Sequence, residues 1–233
     1  VNNLIAFEGP NAFPAMSHLW SLSVEEQFYL AWPLVVFFVP RRHLFSVCVG
    51  LAAFSMVFRS VSYVVIERDF AYHFTLCRFD GLALGAAGAV VLLTPSLRTR
   101  FGPWIDWFAR RWWIVLVLLI MPESLALLPG FTILSLAYLG LVLSANEGRL
   151  EGFPKRCLHS AFLAHLGKYS YALYIIQFPI TRAVLPFTPT EVVLVDTIFH
   201  VVVIGGASYV LARVSWVLWE RPWLKLKGRF AYG

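Results

Sequence analysis

Runs of mostly apolar residues alternate with short polar connections along the whole chain. Each run is close to the ~20 residues that a helix needs to cross a bilayer. About seven such helices are predicted: His18–Val39, Leu44–Ile66, Phe74–Leu93, Trp112–Leu128, Phe131–Ala145, Leu166–Leu185 and Val192–Trp219. Between the fourth and fifth, Leu128-Pro129-Gly130 reads as a tight turn. No internal repeat or low-complexity linker interrupts the pattern.

Composition sharpens this into a fold class. The 233 residues are 59% hydrophobic and 14% charged, and the mean hydropathy is +0.72. A soluble domain is about a quarter charged. The expectation is therefore all-α: one polytopic transmembrane helical bundle spanning residues 1–233. A net charge of +6 does not signal nucleic acid, because the bases sit in short loops and form no stripe. They cluster in alternate connections: Arg41 and Arg42; Arg98, Arg100, Arg110 and Arg111; Arg149, Lys155, Arg156 and Lys168; and the tail from Arg221 to Arg229. The intervening connections carry Glu67, Asp69, Glu123, Glu191 and Asp196. By the bias of basic residues toward the cytoplasm, the chain start lies outside and the tail inside. Cys48, Cys77 and Cys157 are scattered, with no metal or disulfide spacing. No cleavable signal precedes the first run, and the chain begins with Val1, which suggests a fragment.

The first run poses a chemical question, because Glu25 and Glu26 lead directly into its apolar part. Ser23-x-x-Glu26 would make a capping box if the helix began at Val24, with both acids as interfacial trim. A helix from Val24 to Val39 would be only about 24 Å long, against about 30 Å of hydrocarbon. A start at His18 gives about 33 Å and carries both glutamates below the surface, where a charge needs a cavity or a partner. His18, Ser21, Glu25, Tyr29 and Trp32 recur at spacings of three and four and would share one polar stripe. That functional face is the expected reading. Glu25 lies on the stripe, and Glu26 is rotated from it by about 100°.

A second polar cluster opens the third run, Arg78-Phe79-Asp80-Gly81, on the same predicted side. Arg78 is a candidate partner for Glu25 or Glu26. Gly81-x-x-x-Gly85 suggests close helix packing. Tyr169-Ser170-Tyr171, Tyr174 and Gln177 form a polar edge on the sixth run. Glu220-Arg221-Pro222 reads as a helix stop. No nucleophile elbow, zinc-protease motif or phosphate loop is present.

With these residues in view, the chain resembles the acyltransferase 3 family of bacterial membrane O-acyltransferases. The resemblance is carried by His18-Leu19-Trp20-Ser21-Leu22-Ser23-Val24-Glu25-Glu26-Gln27-Phe28-Tyr29-Leu30 with Trp32-Pro33. It continues through Arg78-Phe79-Asp80-Gly81 with Gly85, then Leu166-Gly167 with Ser170-Tyr171, Tyr174 and Phe178-Pro179, then Ser208-Tyr209 with Glu220-Arg221-Pro222. These occur in family order over nearly the whole chain. Gln177 stands where many members have a histidine. The resemblance implies transfer of an acyl group, often acetyl, from acyl-CoA to a hydroxyl of a cell-surface carbohydrate or glycolipid, in the bacterial inner membrane. Acyl-CoA is then a substrate; no bound cofactor and no metal are expected, and the other partners are membrane lipids. Family members carry further helices before this signature, with an essential Arg and an essential His, the His taken as the base. Nothing in Val1–Met16 matches them, so the chain is expected to be the C-terminal two-thirds of the domain. His18, Glu25 and Arg78 then have supporting catalytic roles, and Ser21, Glu26, Tyr29, Trp32 and Asp80 contact substrate. Two rival expectations are a transporter or lipid translocator, marked by intramembrane charge, and an inactive remnant.

Overall fold

The computed structural model describes residues 18–120, 129–184, 186 and 193–227. Among them all regular structure is helical, and the fold is all-α and of membrane type. The helices are α1 Trp20–Phe38, α2 Arg41–Val65, α3 Arg68–His73, α4 Phe79–Leu93, α5 Pro95–Arg110, α6 Ile114–Leu119, α7 Phe131–Asn146, α8 Gly152–Leu158, α9 Ala161–Val184, α10 Val193–Ser215 and α11 Arg221–Lys227. By length and composition two helices can cross a membrane, α2 and a continuous stretch Val195–Lys225, or three if α4 and α5 count as one bent span. The second half of the fourth predicted run, 121–128, lies outside the described residues.

The described residues fall into two compact units, 19–158 and His18 with 159–227. In the first, α2 packs along α4, and α7 packs on α4 and α5. Small residues permit this: Ala52 of α2 and Ala83 of α4 are buried together with Leu84. The predicted Gly81–Gly85 contact holds at Gly81, whose added Cβ would meet Ser135 Oγ at 3.2 Å, while Gly85 faces open space. Closer approaches lie at Gly88, against Leu139, and at Gly140, against the Phe108 ring. In the second unit α9 and α10 enclose Tyr169, Ala172 and Ala212. His165 Nε2 and the Tyr209 hydroxyl lie 2.6 Å apart across that helix pair.

Four points along the chain bear on the sequence reading. α1 starts at Trp20, and Ser23 Oγ donates back to the Leu19 carbonyl at 3.2 Å. Ser23 is thus inside the helix, where a hydroxyl bonds the carbonyl four residues back, and the capped start at Val24 does not form. Residues 95–110, expected as a basic loop, form helix α5, which turns by 114° from α4 at Thr94. Pro95 sits in its first turn, where its missing N–H costs nothing. At the far end the helix does not stop at Pro222. Residues Trp216–Glu220 widen by one residue, and the Arg221 N–H bonds the Trp216 carbonyl. The wider turn removes the clash between a proline ring and the carbonyl four residues before it. Gly130, expected in a turn, has helical angles (φ −59°, ψ −41°) at the head of α7.

Candidate active site

Three helices of the first unit meet at one buried ion cluster. Arg59, in the second half of α2, has 0% exposure. Its Nη1 lies 2.9 Å from Asp80 Oδ2 and donates to the Cys77 carbonyl at 2.6 Å. Its Nη2 donates to Thr132 Oγ1 at 2.8 Å, and the Thr132 hydroxyl donates in turn to Asp80 Oδ2 at 2.5 Å. The Asp80 N–H donates to Ser55 Oγ at 3.2 Å. A buried charge is tolerable only when paired and hydrogen-bonded, and each partner here comes from a different element: α2, the start of α4, and the start of α7.

The Cys77 carbonyl held by Arg59 belongs to the residue just before Arg78. Arg78 precedes α4, and its guanidinium lies in an aromatic cage. Its carbon is 4.1 Å from the Phe131 ring centre, 5.2 Å from Trp20 and 5.3 Å from Tyr72. Arg59 approaches Phe131 as well, at 5.6 Å. Such faces attract a guanidinium but offer no acceptor in the plane of its N–H groups. Nη1 of Arg78 is accordingly buried without a hydrogen-bond partner. Among the described residues this cluster brings together two guanidinium groups and one carboxylate.

The predicted residues fall into three groups. Arg78 and Asp80 lie in the cluster, and α1 delivers Trp20 to its edge. The expected pairing of Arg78 with Glu25 or Glu26 is absent among the described residues, because the aromatic cage turns the guanidinium away from a carboxylate. The side of α1 that packs inward carries Val24 and Phe28, with Phe28 stacked on Trp32 at 5.0 Å and edge-on to Phe79 at 5.7 Å. Ser21 and Glu25 flank that side half-buried, Glu26 is exposed, and Tyr29 is 60% exposed. The stripe is therefore not the packed seam. His18 precedes the helix and belongs to the second unit. It stacks on Phe178 at 4.7 Å and lies edge-on to Tyr174 at 5.5 Å, and the Tyr174 hydroxyl donates to its carbonyl at 2.7 Å. Arg59 and Thr132 were not singled out from the sequence. The available signal for Arg59 is an arginine inside an apolar run, a position that demands a partner; Thr132 carries none.

At the opposite end of the unit, Arg98 Nε lies 2.6 Å from Glu147 Oε1, and Arg149 bridges Asp106 at 2.7 Å and Glu147 at 3.6 Å. The hydrogen bond from Arg98 holds the Glu147 carboxyl below its usual range, and the Asp106 hydrogen bond holds Arg149 above its own. This network ties α5 to the end of α7.

No solved structure matches the chain. A relative named peptidoglycan O-acetyltransferase OatA, from Listeria monocytogenes, is 24% identical over 95% of this chain and 37% of its own length. One named O-acetyltransferase OatA, from Staphylococcus aureus, is 27% identical over 72% of this chain and 30% of its own. The chain thus spans about a third of the length of these curated relatives. The family profile described as an acyltransferase domain matches residues 2–217, and the chain belongs to this acyltransferase 3 family of transferase enzymes.

Proposed function

We propose that the chain is the membrane part of an O-acyltransferase that moves an acyl group, acetyl first among them, from acyl-CoA to a hydroxyl of a cell-surface carbohydrate or glycolipid. The family supports the reaction class. The printed name of the Listeria relative supports a carbohydrate such as peptidoglycan as acceptor. The observation that carries the chemistry is the buried Nη1 of Arg78, without a hydrogen-bond partner among the described residues and beside the Arg59–Asp80 pair. When a hydroxyl attacks a thioester carbonyl, negative charge grows on the carbonyl oxygen, and a fixed donor there lowers the barrier. Arg78 supplies that donor. The hydroxyl proton passes to a base and the departing thiolate is reprotonated. Asp80, buried and bonded to Arg59 and Thr132, acts by holding the cluster rather than by touching substrate. Ser21, Glu25, Glu26, Tyr29 and Trp32 line α1 for the acceptor, and His18 has a supporting role on the second unit.

The same reading places the chain in a bacterial inner membrane with about seven crossings, its start outside and its tail cytoplasmic. The sharp turn at Thr94 supports it, since α5 then lies across rather than along the direction of α4. The test is transfer of labelled acetyl from acetyl-CoA to a carbohydrate acceptor by the full-length protein in proteoliposomes. Arg78→Gln should lower turnover per folded molecule by about 100-fold or more, the scale of one lost oxyanion donor. Wild-type turnover by the folded variant overturns the role of Arg78; no transfer by the wild type with any acceptor overturns the function.

A further inference from the structure

The first unit contains a cavity of about 860 Å³ whose lining includes neither Arg78 nor Asp80. It runs along α2 from Phe45 to Met56 and along α7 from Leu143 to Thr132. Eleven helical steps make it about 16 Å long, roughly half of the ~30 Å hydrocarbon core and so the depth of one leaflet. One end is walled by Phe101, Trp104 and Trp107 of α5, and the other stops at Thr132. The Thr132 hydroxyl is already engaged by Arg59 and Asp80. Apart from it, the only side-chain hydrogen-bonding groups on the wall among the described residues are the two indoles.

That wall selects its occupant. A sugar or a pantetheine arm would bring several hydroxyls or amides to a wall whose described residues offer only two indole N–H donors and no free acceptor, and buried polar groups without partners are unfavourable. A hydrocarbon chain asks for none. The cavity is open along the side where Val49, Ile133 and Leu136 are exposed, and the solvent of a membrane protein is itself hydrocarbon. The head-group end is equally specific. α5 is amphipathic, with aromatic residues toward the cavity and Arg100 and Arg110 exposed. Arg111, also exposed, lies 4.9 Å over the Trp107 ring. Arg100, Trp107 and Arg111 recur at spacings of seven and four, so the bases share the side of the tryptophan at the cavity mouth. A basic amphipathic helix with tryptophans is the form that lies at a membrane surface and attracts anionic lipid.

We propose that this cavity holds one hydrocarbon chain of an anionic phospholipid, with its head group on the exposed arginines of α5. The site is independent of the acyl-transfer reading. The probe is phosphatidylglycerol or phosphatidylcholine carrying a photoreactive diazirine in one chain. The full chain is reconstituted in nanodiscs and the adducts are mapped by mass spectrometry. Phosphatidylglycerol should mark cavity positions such as Met56 and Leu136 at least five-fold above phosphatidylcholine, while both mark the outer face at Phe37 and Phe38 equally. Ala53→Phe, at the cavity wall, should cut the cavity adducts about five-fold and leave the outer adducts and the thermal midpoint unchanged. Arg100→Gln with Arg111→Gln, which touches no packing inside the cavity, should abolish the preference for phosphatidylglycerol. Equal marking of cavity and outer face by both lipids, or cavity adducts indifferent to Ala53→Phe in a folded protein, overturns the chain site. Equal cavity marking by the two lipids overturns the anionic assignment. Displacement of the adducts by a long-chain acyl-CoA but not by unlabelled phosphatidylglycerol assigns the cavity to the donor instead and also overturns the proposal.

Discussion

Arg59 shows why a charge in an apolar helix is a statement about tertiary structure. Its guanidinium is answered by Asp80, by Thr132 and by the Cys77 carbonyl, and these positions are far apart in the chain. The sequence made Arg78 and Asp80 legible because they stand together in a short polar motif. It hid Arg59 because one arginine hardly alters the mean hydropathy of a long run, and it hid Thr132 because threonine is ordinary in a membrane helix. The cage around Arg78 was equally out of reach, since Trp20, Tyr72 and Phe131 come from separate segments. The cluster yields a graded prediction. Asp80→Asn removes the carboxylate that faces buried Arg59 and should cost about 3–5 kcal/mol. Thr132→Val keeps the ion pair and removes one hydrogen-bonding group, costing about 1–3 kcal/mol. Thermal unfolding in detergent should rank them in that order; equal midpoints for Asp80→Asn and wild type would show that the pair does not hold the helices.

At the scale of elements, the apolar runs located the long helices, but α5 was lost because its arginines were read as a loop. Phe101, Trp104, Ile105 and Phe108 recur at helical spacing within the same stretch, and that stripe was the stronger signal. Glycine spacing also marked the right helix and one of its contacts: Gly81 packs against Ser135, Gly85 is open, and Gly88 and Gly140 are the tightest positions. At Gly140 a methyl would enter the Phe108 ring, which cannot bend away, and Gly140→Ala should destabilise by about 1–3 kcal/mol. At Gly88 the obstacle is the end of a flexible leucine, so Gly88→Ala should cost less. Melting curves of the two variants test the contrast, which fails if Gly88→Ala is the worse. The α5–α7 network adds a pH effect. Because Arg98 lowers the folded-state pKa of Glu147 below its ordinary value of 4.5, the contribution to stability is fully present above that value. It is lost as pH falls through the lower folded value. Glu147→Gln should therefore lower the melting point near neutrality and flatten its decline below about pH 4.5, whereas a parallel offset at every pH would exclude the ionised carboxylate as the cause.

For the whole molecule, direction across the membrane follows from loop charge, and the structure makes it testable at few positions. Cys48 and Cys77 are fully buried, so neither reports on sidedness. Cys157 is half-buried in α8, a short helix with Lys155 and Arg156 in its last turn, and loop charge assigns it to the cytoplasm. The opposite assignment falls on the connection after α2, where Glu67 is exposed and outside the helices. In intact spheroplasts a membrane-impermeant maleimide should leave Cys157 unmodified and should modify a cysteine introduced by Glu67→Cys. Permeabilisation should then expose Cys157. The two sites lie on opposite sides of the predicted bundle, so each controls for the other's accessibility. Labelling of Cys157 before permeabilisation, with Glu67→Cys protected, would invert the orientation. Arg78 follows Glu67 on the same predicted side, so inversion would also move the proposed oxyanion donor to the cytoplasmic half of the membrane. Labelling of both before permeabilisation would place an even number of crossings between α2 and α8, and one of the predicted spans would have to be a surface helix.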